Sequence, residues 1–479
     1  RSLDMDQLTF PANVTMITSD SRAIEKGGMF VAISGAHHDG RAFIKSAIEK
    51  GAKYIVIGKG SAVTPVNNVE FIEVNNPRQY LALAASKFYK VQPQNIVCVT
   101  GTNGKTSTVN FARQIWERLG TKAASLGTLG VLGEGIENYS GMTTPDPVWL
   151  HARLSELVSH GIENLAMEAS SIGIEQHRLD GVKLSAAGFT NLTRDHLDYH
   201  GNMDDYKAAK LRLFSTLLDE KGIAVVNADS DAFEDIKEEC NRRNITCWGY
   251  GKNGDEIKIL NREIKPEGQE LNLEIGGQNH RLSLPLVGEF QAMNILCAIG
   301  LVKAASKFST LDILHAVEKI SGVAGRLQLV KGAPEGTAVY VDYAHTPDAL
   351  ENILNALRPH TQNRLICLFG CGGDRDKGKR PQMGEISSRL AEITIVTDDN
   401  PRTENADQIR QDILEGAGEG ARNISGRREA IHEAVKLLTK GDVLVLAGKG
   451  HEQGQIFATH TEHFDDVEEA EAALREVFS

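Results

Sequence analysis

The chain has 479 residues, 41% apolar and 24% charged, a globular composition too long for one ordinary domain. Lys plus Arg number 52 against 64 Asp plus Glu, a formal −12 that argues against nucleic acid or an anionic membrane surface as the main partner. No apolar run approaches the roughly eighteen residues of a membrane span. RSLDMDQLTF lacks a signal-peptide pattern, and the 6 scattered cysteines predict free thiols in a reducing cytosol.

To about residue 90 the chain reads as a small α/β unit. Strand-like runs occur at Met29–Ile33, Tyr54–Ile57 and Val69–Val74, with a helical pattern from Phe43 to Lys50. A helix ends near Tyr89, and VQPQ at 91–94 reads as a linker. The apolar run Ile96–Thr100 leads into a glycine-rich turn and a helix from about Lys105 to Leu119. Apolar runs and helical patterns alternate through Ala166, Phe189 and Val225, predicting a parallel sheet with helices on both faces. From Ile257 to Leu286 the pattern alternates, predicting a few antiparallel strands appended to that sheet. Helices follow near Phe290–Ala305 and Leu311–Ile320. SGVAGR at 321–326 marks a second boundary. Beyond it AVYVD (338–342), RLICLFG (364–370), EITIVT (392–397) and DVLVLAG (442–448) predict a second open α/β sheet. The tail from Asp465 reads as an amphipathic helix with Val467, Ala470, Leu474 and Phe478 on one face. The expected fold is α/β in three domains, 1–90, 91–325 and 326–479.

Chemistry concentrates in a few places. IVCVTGTNGKTST sets Gly101, Thr102, Asn103, Gly104, Lys105, Thr106 and Ser107 between a buried strand and a helix. Glycines let the backbone curl so that its N–H groups face a phosphate at the helix N-terminus. Lys105 would reach the β/γ-phosphates and the Thr106 hydroxyl would bind Mg²⁺. Only two residues separate Gly101 from Gly104, shorter than the general P-loop spacing. In YHGNMDDYKAAKLRLF, a helical stripe of Tyr206, Ala209, Lys210, Leu213 and Phe214 puts Lys210 on the apolar face. Either Lys210 snorkels past its neighbours, or desolvation lowers its pKa and leaves a nucleophilic amine able to take up CO₂ as a carbamate. Glu168 and His196 follow predicted strand ends, where ligands gather in open α/β sheets. Each is open to a capping or core role, and to Mg²⁺ binding or, for His196, orientation of the carbamate.

TGTNGKTS, MEASS, NLTRDHLDYHG, the AAK of Lys210, FQAMNILCAIG, AGRLQ, VDYAHTPDAL, GCGGDRDKGKRPQM, DDNPR and GKGHE together resemble the Mur ligases. The resemblance runs from the SDSR stretch near Ser19 to residue 452 and implies a three-domain architecture. A small N-terminal α/β domain precedes a P-loop ATPase-like parallel sheet with added antiparallel strands, then a Rossmann-like C-terminal domain. The implied activity is ATP-dependent addition of meso-2,6-diaminopimelate to UDP-MurNAc-L-Ala-D-Glu through an acyl phosphate, in the cytoplasm, during peptidoglycan synthesis. Two Mg²⁺ ions and a carbamate on Lys210 are implied, with a monomeric chain and neither nucleic acid nor membrane as partner. By the resemblance Lys105, Glu168, His196 and Lys210 are catalytic, and the metal is held by Thr106, Glu168, the carbamate and His196. ATP is bound by the 101–107 turn with Asn294, Arg326 and Asp342. Ser19, Ser21, Ala36, His37, His38, Thr143, Thr144, Ser170, Gln176 and Arg178 resemble the contacts to the nucleotide-sugar dipeptide, although Met142 departs from the polar residue expected there. Arg375, Asp399, Asn400, Pro401, Arg402, Gly448 and Glu452 resemble the diaminopimelate site. Diaminopimelate has a second carboxylate that Arg402 can bind bidentately, and lysine has none. DDNPR by itself also reads as an Asx-Pro turn. Folylpolyglutamate synthase shares the ATP chemistry but lacks the first domain and DDNPR. A nucleotide-driven switch would turn over ATP without either other substrate, and a catalytically dead scaffold would have no need of the intact Lys105, Glu168, His196 and Lys210 set.

Overall fold

The computed structural model describes residues 10–35, 39–138, 144–191 and 203–479. They pack as two units, one of residues 1–257 with 296–313 and one of 258–295 with 314–479.

The first unit begins with β1 (Ile17–Thr18), β2 (Met29–Val31), β3 (Tyr54–Gly58) and β4 (Glu70–Val74), paired in chain order and parallel throughout. Side chains alternate across a strand, so one sheet buries two cores. Met29, Val31 and Val56 pack with Tyr80, Leu81 and Ala84, while Phe30, Ile55 and Ile57 pack with Ala47 on the opposite side. The helix Pro77–Tyr89 starts where the sequence predisposes it to. Asn76 caps it by accepting from Gln79 N, and Pro77 takes the first turn, where no N–H is needed.

The same unit holds β5 (Asn95–Thr100), β6 (Ala123–Gly127), β7 (Gly130–Gly133), β8 (Ile136–Asn138), β9 (Asn164–Glu168), β10 (Leu184–Phe189), β11 (Leu218–Asn227) and β12 (Thr246–Gly251). Their spatial order is β12-β11-β10-β5-β9-β6-β7-β8. The strands from β12 to β6 are parallel and β7 and β8 antiparallel. β5 therefore lies between β9 and β10, and the carboxyl ends of all three meet at a chain reversal, where open α/β sheets bind ligands. The β7–β8 edge had no signal in the sequence.

In the second unit β13 (Ile257–Lys265), β14 (Gly268–Ile275) and β15 (Gln278–Leu284) follow one another, as the alternating pattern predicts. β14 and β15 pair antiparallel through Gly276 and Gly277, whose φ of 57° and 81° suit a two-residue hairpin turn. Farther on, β16 (Gln328–Leu329), β17 (Ala338–Asp342), β18 (Leu365–Phe369), β19 (Ile393–Val396), β20 (Arg422–Asn423) and β21 (Val443–Ala447) order as β16-β17-β21-β18-β19-β20, parallel except at β16. The terminal helix Asp466–Phe478 buries Ala470 and Leu474 as expected, but Phe478 lies past the end of the core and is 42% exposed. Its first residue, Asp466, receives Arg427 Nε at 2.8 Å and Nη2 at 2.7 Å, a fully buried bidentate pair that pins it to the first turn of the helix Arg427–Lys436.

Candidate active site

β5 runs into the glycine-rich turn. Gly101 has a φ of 138°, and a Cβ there would lie 1.9 Å from Thr190 Oγ1, so only glycine fits beside β10. Gly104, at φ 88°, caps the helix Lys105–Arg118 without a side chain. First-turn amides lacking a side-chain cap are complementary to an anion. Asn191, from the stretch after β10, braces the turn: its backbone O accepts from Thr102 N and its Oδ1 from Asn103 N, each at 2.9 Å. Lys105 Nζ donates to Gly101 O at 2.7 Å, so its charge lies against the turn it is expected to serve.

Glu168 ends β9 beside this turn and is 2% exposed. A buried carboxylate needs partners. Its Oε1 accepts from Thr106 Oγ1 at 2.9 Å and its Oε2 from Thr128 N at 2.7 Å. Gly127 makes the approach possible, because a Cβ there would stand 1.8 Å from Glu168 Oε2. Thr106 and Glu168 offer only oxygen donors, the set Mg²⁺ takes, so they fit that ion. Among the described residues no three His, Cys, Asp or Glu side chains converge on a metal position. His196 lies outside the described residues. Gly127 and Thr128 were not anticipated, since nothing in GTLG marks a carboxylate's support.

Lys210 lies on the helix Met203–Arg212 and is 2% exposed, so its side chain is buried and does not snorkel into solvent. Two residues on, Arg212 grips Asp180 through Nη1 to Oδ1 at 3.0 Å and Nη2 to Oδ2 at 2.7 Å. His177 Nδ1 lies 3.1 Å from Asp180 Oδ2, and Asn76 Nδ2 lies 3.0 Å from His177 Nε2. Burial opposes the charge of Asp180, but the bonds to His177 and Arg212 outweigh it and hold the carboxyl below its usual range.

A cavity of about 310 Å³ is lined by Ser19, Arg78, Asp146, Gln176 and Arg178, among others. It unites Ser19, Gln176 and Arg178 from the expected set. Arg178 Nη1 donates to Thr144 O at 2.9 Å and Nη2 to Gln176 Oε1 at 2.8 Å. Thr144 Oγ1 and Ser170 Oγ lie 3.2 Å apart and are structural as they stand, Ser170 capping the helix Ser171–Glu175. Ser21 is buried nearby in sequence. Ala36, His37, His38 and Thr143 lie outside the described residues. Arg78 was missed, because an arginine in the first turn of a helix reads as a surface residue.

In the second unit Asp342 ends β17, its Oδ2 accepting from Leu327 N at 2.8 Å and its Oδ1 from Ala344 N at 2.7 Å. Burial nevertheless raises its carboxyl above the usual range. The Arg326 guanidinium stacks 5.0 Å over the Tyr343 ring. Asn294 is buried on the helix Glu289–Ala305 and donates to Gln291 at 3.0 Å.

Arg402 adopts a left-handed φ of 51° after Pro401, and its Nη1 donates to Gly373 O at 3.0 Å. A Cβ on Gly372 would meet that nitrogen at 2.6 Å and Arg375 Cγ at 3.7 Å, so both expected arginines flank one glycine. Asp399, Asn400 and Glu452 surround the Lys449 ammonium, 3.1, 2.8 and 4.0 Å away. Gly448 has a φ of 116°, and a Cβ there would crowd Asp399 Oδ2 at 3.0 Å. Arg380 is fully buried and neutralised by Glu404 and Asp412, so it stiffens the loop and is not free to meet a substrate.

The chain matches three family descriptions in succession: Mur ligase family, catalytic domain over 13–89; Mur ligase middle domain over 99–302; and Mur ligase, glutamate ligase domain over 325–450. It is 50% identical over 467 residues to the UDP-N-acetylmuramoyl-L-alanyl-D-glutamate–2,6-diaminopimelate ligase of Caulobacter vibrioides, covering 96% of this chain and 95% of that one. The ligase of the same name from Agrobacterium fabrum is 48% identical over 96% of this chain and 93% of its own. A solved structure of a ligase of that name superposes with a TM-score of 0.78 at 32% identity, covering 97% and 95% of the two chains.

Proposed function

The chain belongs to the Mur ligase family, and from that premise we propose that it joins 2,6-diaminopimelate to UDP-N-acetylmuramoyl-L-alanyl-D-glutamate with ATP as co-substrate. The observation that carries this reading is the end-to-end likeness, 50% over 467 residues, to a ligase of that name.

The bond forms in two stages. The D-glutamyl carboxylate attacks the γ-phosphate of ATP, releasing ADP and leaving an acyl phosphate. The neutral amine of diaminopimelate then attacks the acyl carbon, and the tetrahedral intermediate expels phosphate and yields the amide. Transfer between anions needs charge neutralisation and alignment more than covalent help. Lys105 and the amides of the 101–107 turn supply positive charge at the phosphates. Mg²⁺, when bound, offsets phosphate charge, and Thr106 and Glu168 would hold it. A second ion would have Lys210 and His196 for partners, with Lys210 converted to a carbamate. Its neutral Nζ forms a bond to the carbon of CO₂ and a proton leaves, turning a cation into an oxygen donor.

Ser19, Ser21, Thr144, Ser170, Gln176 and Arg178 take the nucleotide-sugar dipeptide together with Ala36, His37, His38 and Thr143, and Arg78 joins them in the cavity. Asn294, Arg326 and Asp342 complete the ATP site. Arg375, Asp399, Asn400, Pro401, Arg402, Gly448 and Glu452 take diaminopimelate, with Arg402 on its second carboxylate. The domains 1–90, 91–325 and 326–479 divide the work as nucleotide-sugar, ATP and amino-acid binding, in a cytoplasmic monomer. Among the described residues no helix is long and apolar enough to cross a membrane.

Phosphate release should require all three substrates together; ATP turnover without the nucleotide sugar or the amino acid would overturn the ligase reading. Lys210→Ala should abolish activity, and a short carboxylic acid should restore part of it. Full activity of that variant without the acid would sink the carbamate.

A further inference from the structure

Lys449 carries a charge to a position where it is 0% exposed. A buried ammonium is unfavourable unless its hydrogens find acceptors. Its Nζ donates to Asn400 Oδ1 at 2.8 Å and to Gly454 O at 2.9 Å, and lies 3.1 Å from Asp399 Oδ1. Asp399 Oδ1 has no well-aligned hydrogen bond, so the ammonium balances that carboxylate by charge.

The contact with Asn400 has a directional consequence. Asn400 Oδ1 also accepts from Ile456 N at 3.0 Å. Two donors converge on one oxygen, so turning the amide over would set its NH₂ against an ammonium and a backbone N–H. The amide is therefore locked with Nδ2 on the edge away from Lys449, presented as a donor. Asn400 and Arg402 are also tied to one loop, since Gly373 N donates to Asn400 O at 2.8 Å and Arg402 Nη1 donates to Gly373 O at 3.0 Å.

We propose that Lys449 is a positioning residue for amino-acid recognition, fixing the Asn400 amide so that its Nδ2 and the Arg402 guanidinium together offer donors to a carboxylate of the incoming diamino-diacid. The inference rests on reading residues 399–402 as the amino-acid site. It assigns Lys449 no contact with substrate: the lysine acts through Asn400 and Asp399.

The test is steady-state kinetics on the full chain, varying each substrate in turn. Lys449→Met should raise KM for diaminopimelate at least tenfold and leave KM for ATP and the nucleotide sugar within twofold. A role in folding alone would lower the amount of active enzyme without this split. An unchanged diaminopimelate KM in folded Lys449→Met overturns the proposal. If that variant does not fold, Asn400→Asp decides. It keeps an acceptor for Lys449 and Ile456 N but replaces the outward donor with an acceptor, so KM should rise tens of fold; an unchanged KM overturns the proposal. Arg402→Ala separates the two layers. If it raises KM while the other two variants do not, the positioning role fails alone. If it too leaves KM unchanged, the amino-acid site itself is misassigned.

Discussion

Glu168 shows how much of a site depends on residues with no chemistry of their own. Its carboxylate is acidic and recognisable in MEASS, but its position is set by Thr106, Thr128 and the missing side chain of Gly127. Gly127→Ala should lower kcat at least tenfold in an ADP-release assay, because the new methyl occupies the space of Glu168 Oε2. A rate within twofold of the parent would show that the carboxylate has freedom to move. Lys105 and Thr106 stood out by their setting in a glycine-rich turn between strand and helix, and the apolar stripe left Lys210 open to two readings. Arg402 was singled out only through the family resemblance, since DDNPR by itself also reads as an Asx-Pro turn. Arg78, Thr128 and Lys449 were not legible, since each gains its role only from a neighbour distant in sequence.

Helices and strands carry these residues to their places, and two elements make measurable contributions. The helix Pro147–Ser159 buries His151, which is 1% exposed, and burial pushes its imidazole down to about 4. The unfolded chain, at about 6.5, binds a proton that the folded chain refuses, so stability is lost as pH falls from about 6.5 towards 4. Between pH 7.5 and 5 this amounts to about 2 kcal/mol. His151→Gln should shrink the pH dependence of the unfolding free energy by that order in denaturant titrations; an unchanged acid branch would contradict the assignment. Asp180 joins the helix of Lys210 to the turn bearing Gln176 and Arg178 through Arg212 and His177. Asp180→Ala strands the guanidinium in a half-dry setting and should cost about 3 kcal/mol, read as a lowered thermal midpoint. No change would mean that solvent replaces the carboxylate. At this scale the strands buried on both faces, β5, β9, β17 and β18, were plain in the sequence as continuous apolar runs. The short strands β7, β8, β16 and β20 were not, because two to four residues are too few to show an apolar run or an alternation.

Over the whole molecule the formal charge is −12, yet both proposed large substrates are polyanions. The structure resolves the tension locally. Arg78 and Arg178 line the cavity of the first unit, Lys105 closes the glycine-rich turn, and Arg375 and Arg402 flank Gly372 in the second. Net charge thus describes the exterior and not the sites. The central claim is that this chain selects a diamino-diacid for addition to the nucleotide-sugar dipeptide. It is tested most directly by phosphate release from ATP in the presence of UDP-MurNAc-L-Ala-D-Glu, with meso-diaminopimelate in one arm and L-lysine in the other. The account predicts turnover with diaminopimelate and, because lysine leaves Arg402 without its carboxylate, at least a hundredfold lower kcat/KM with lysine. Equal rates with the two amino acids would contradict it.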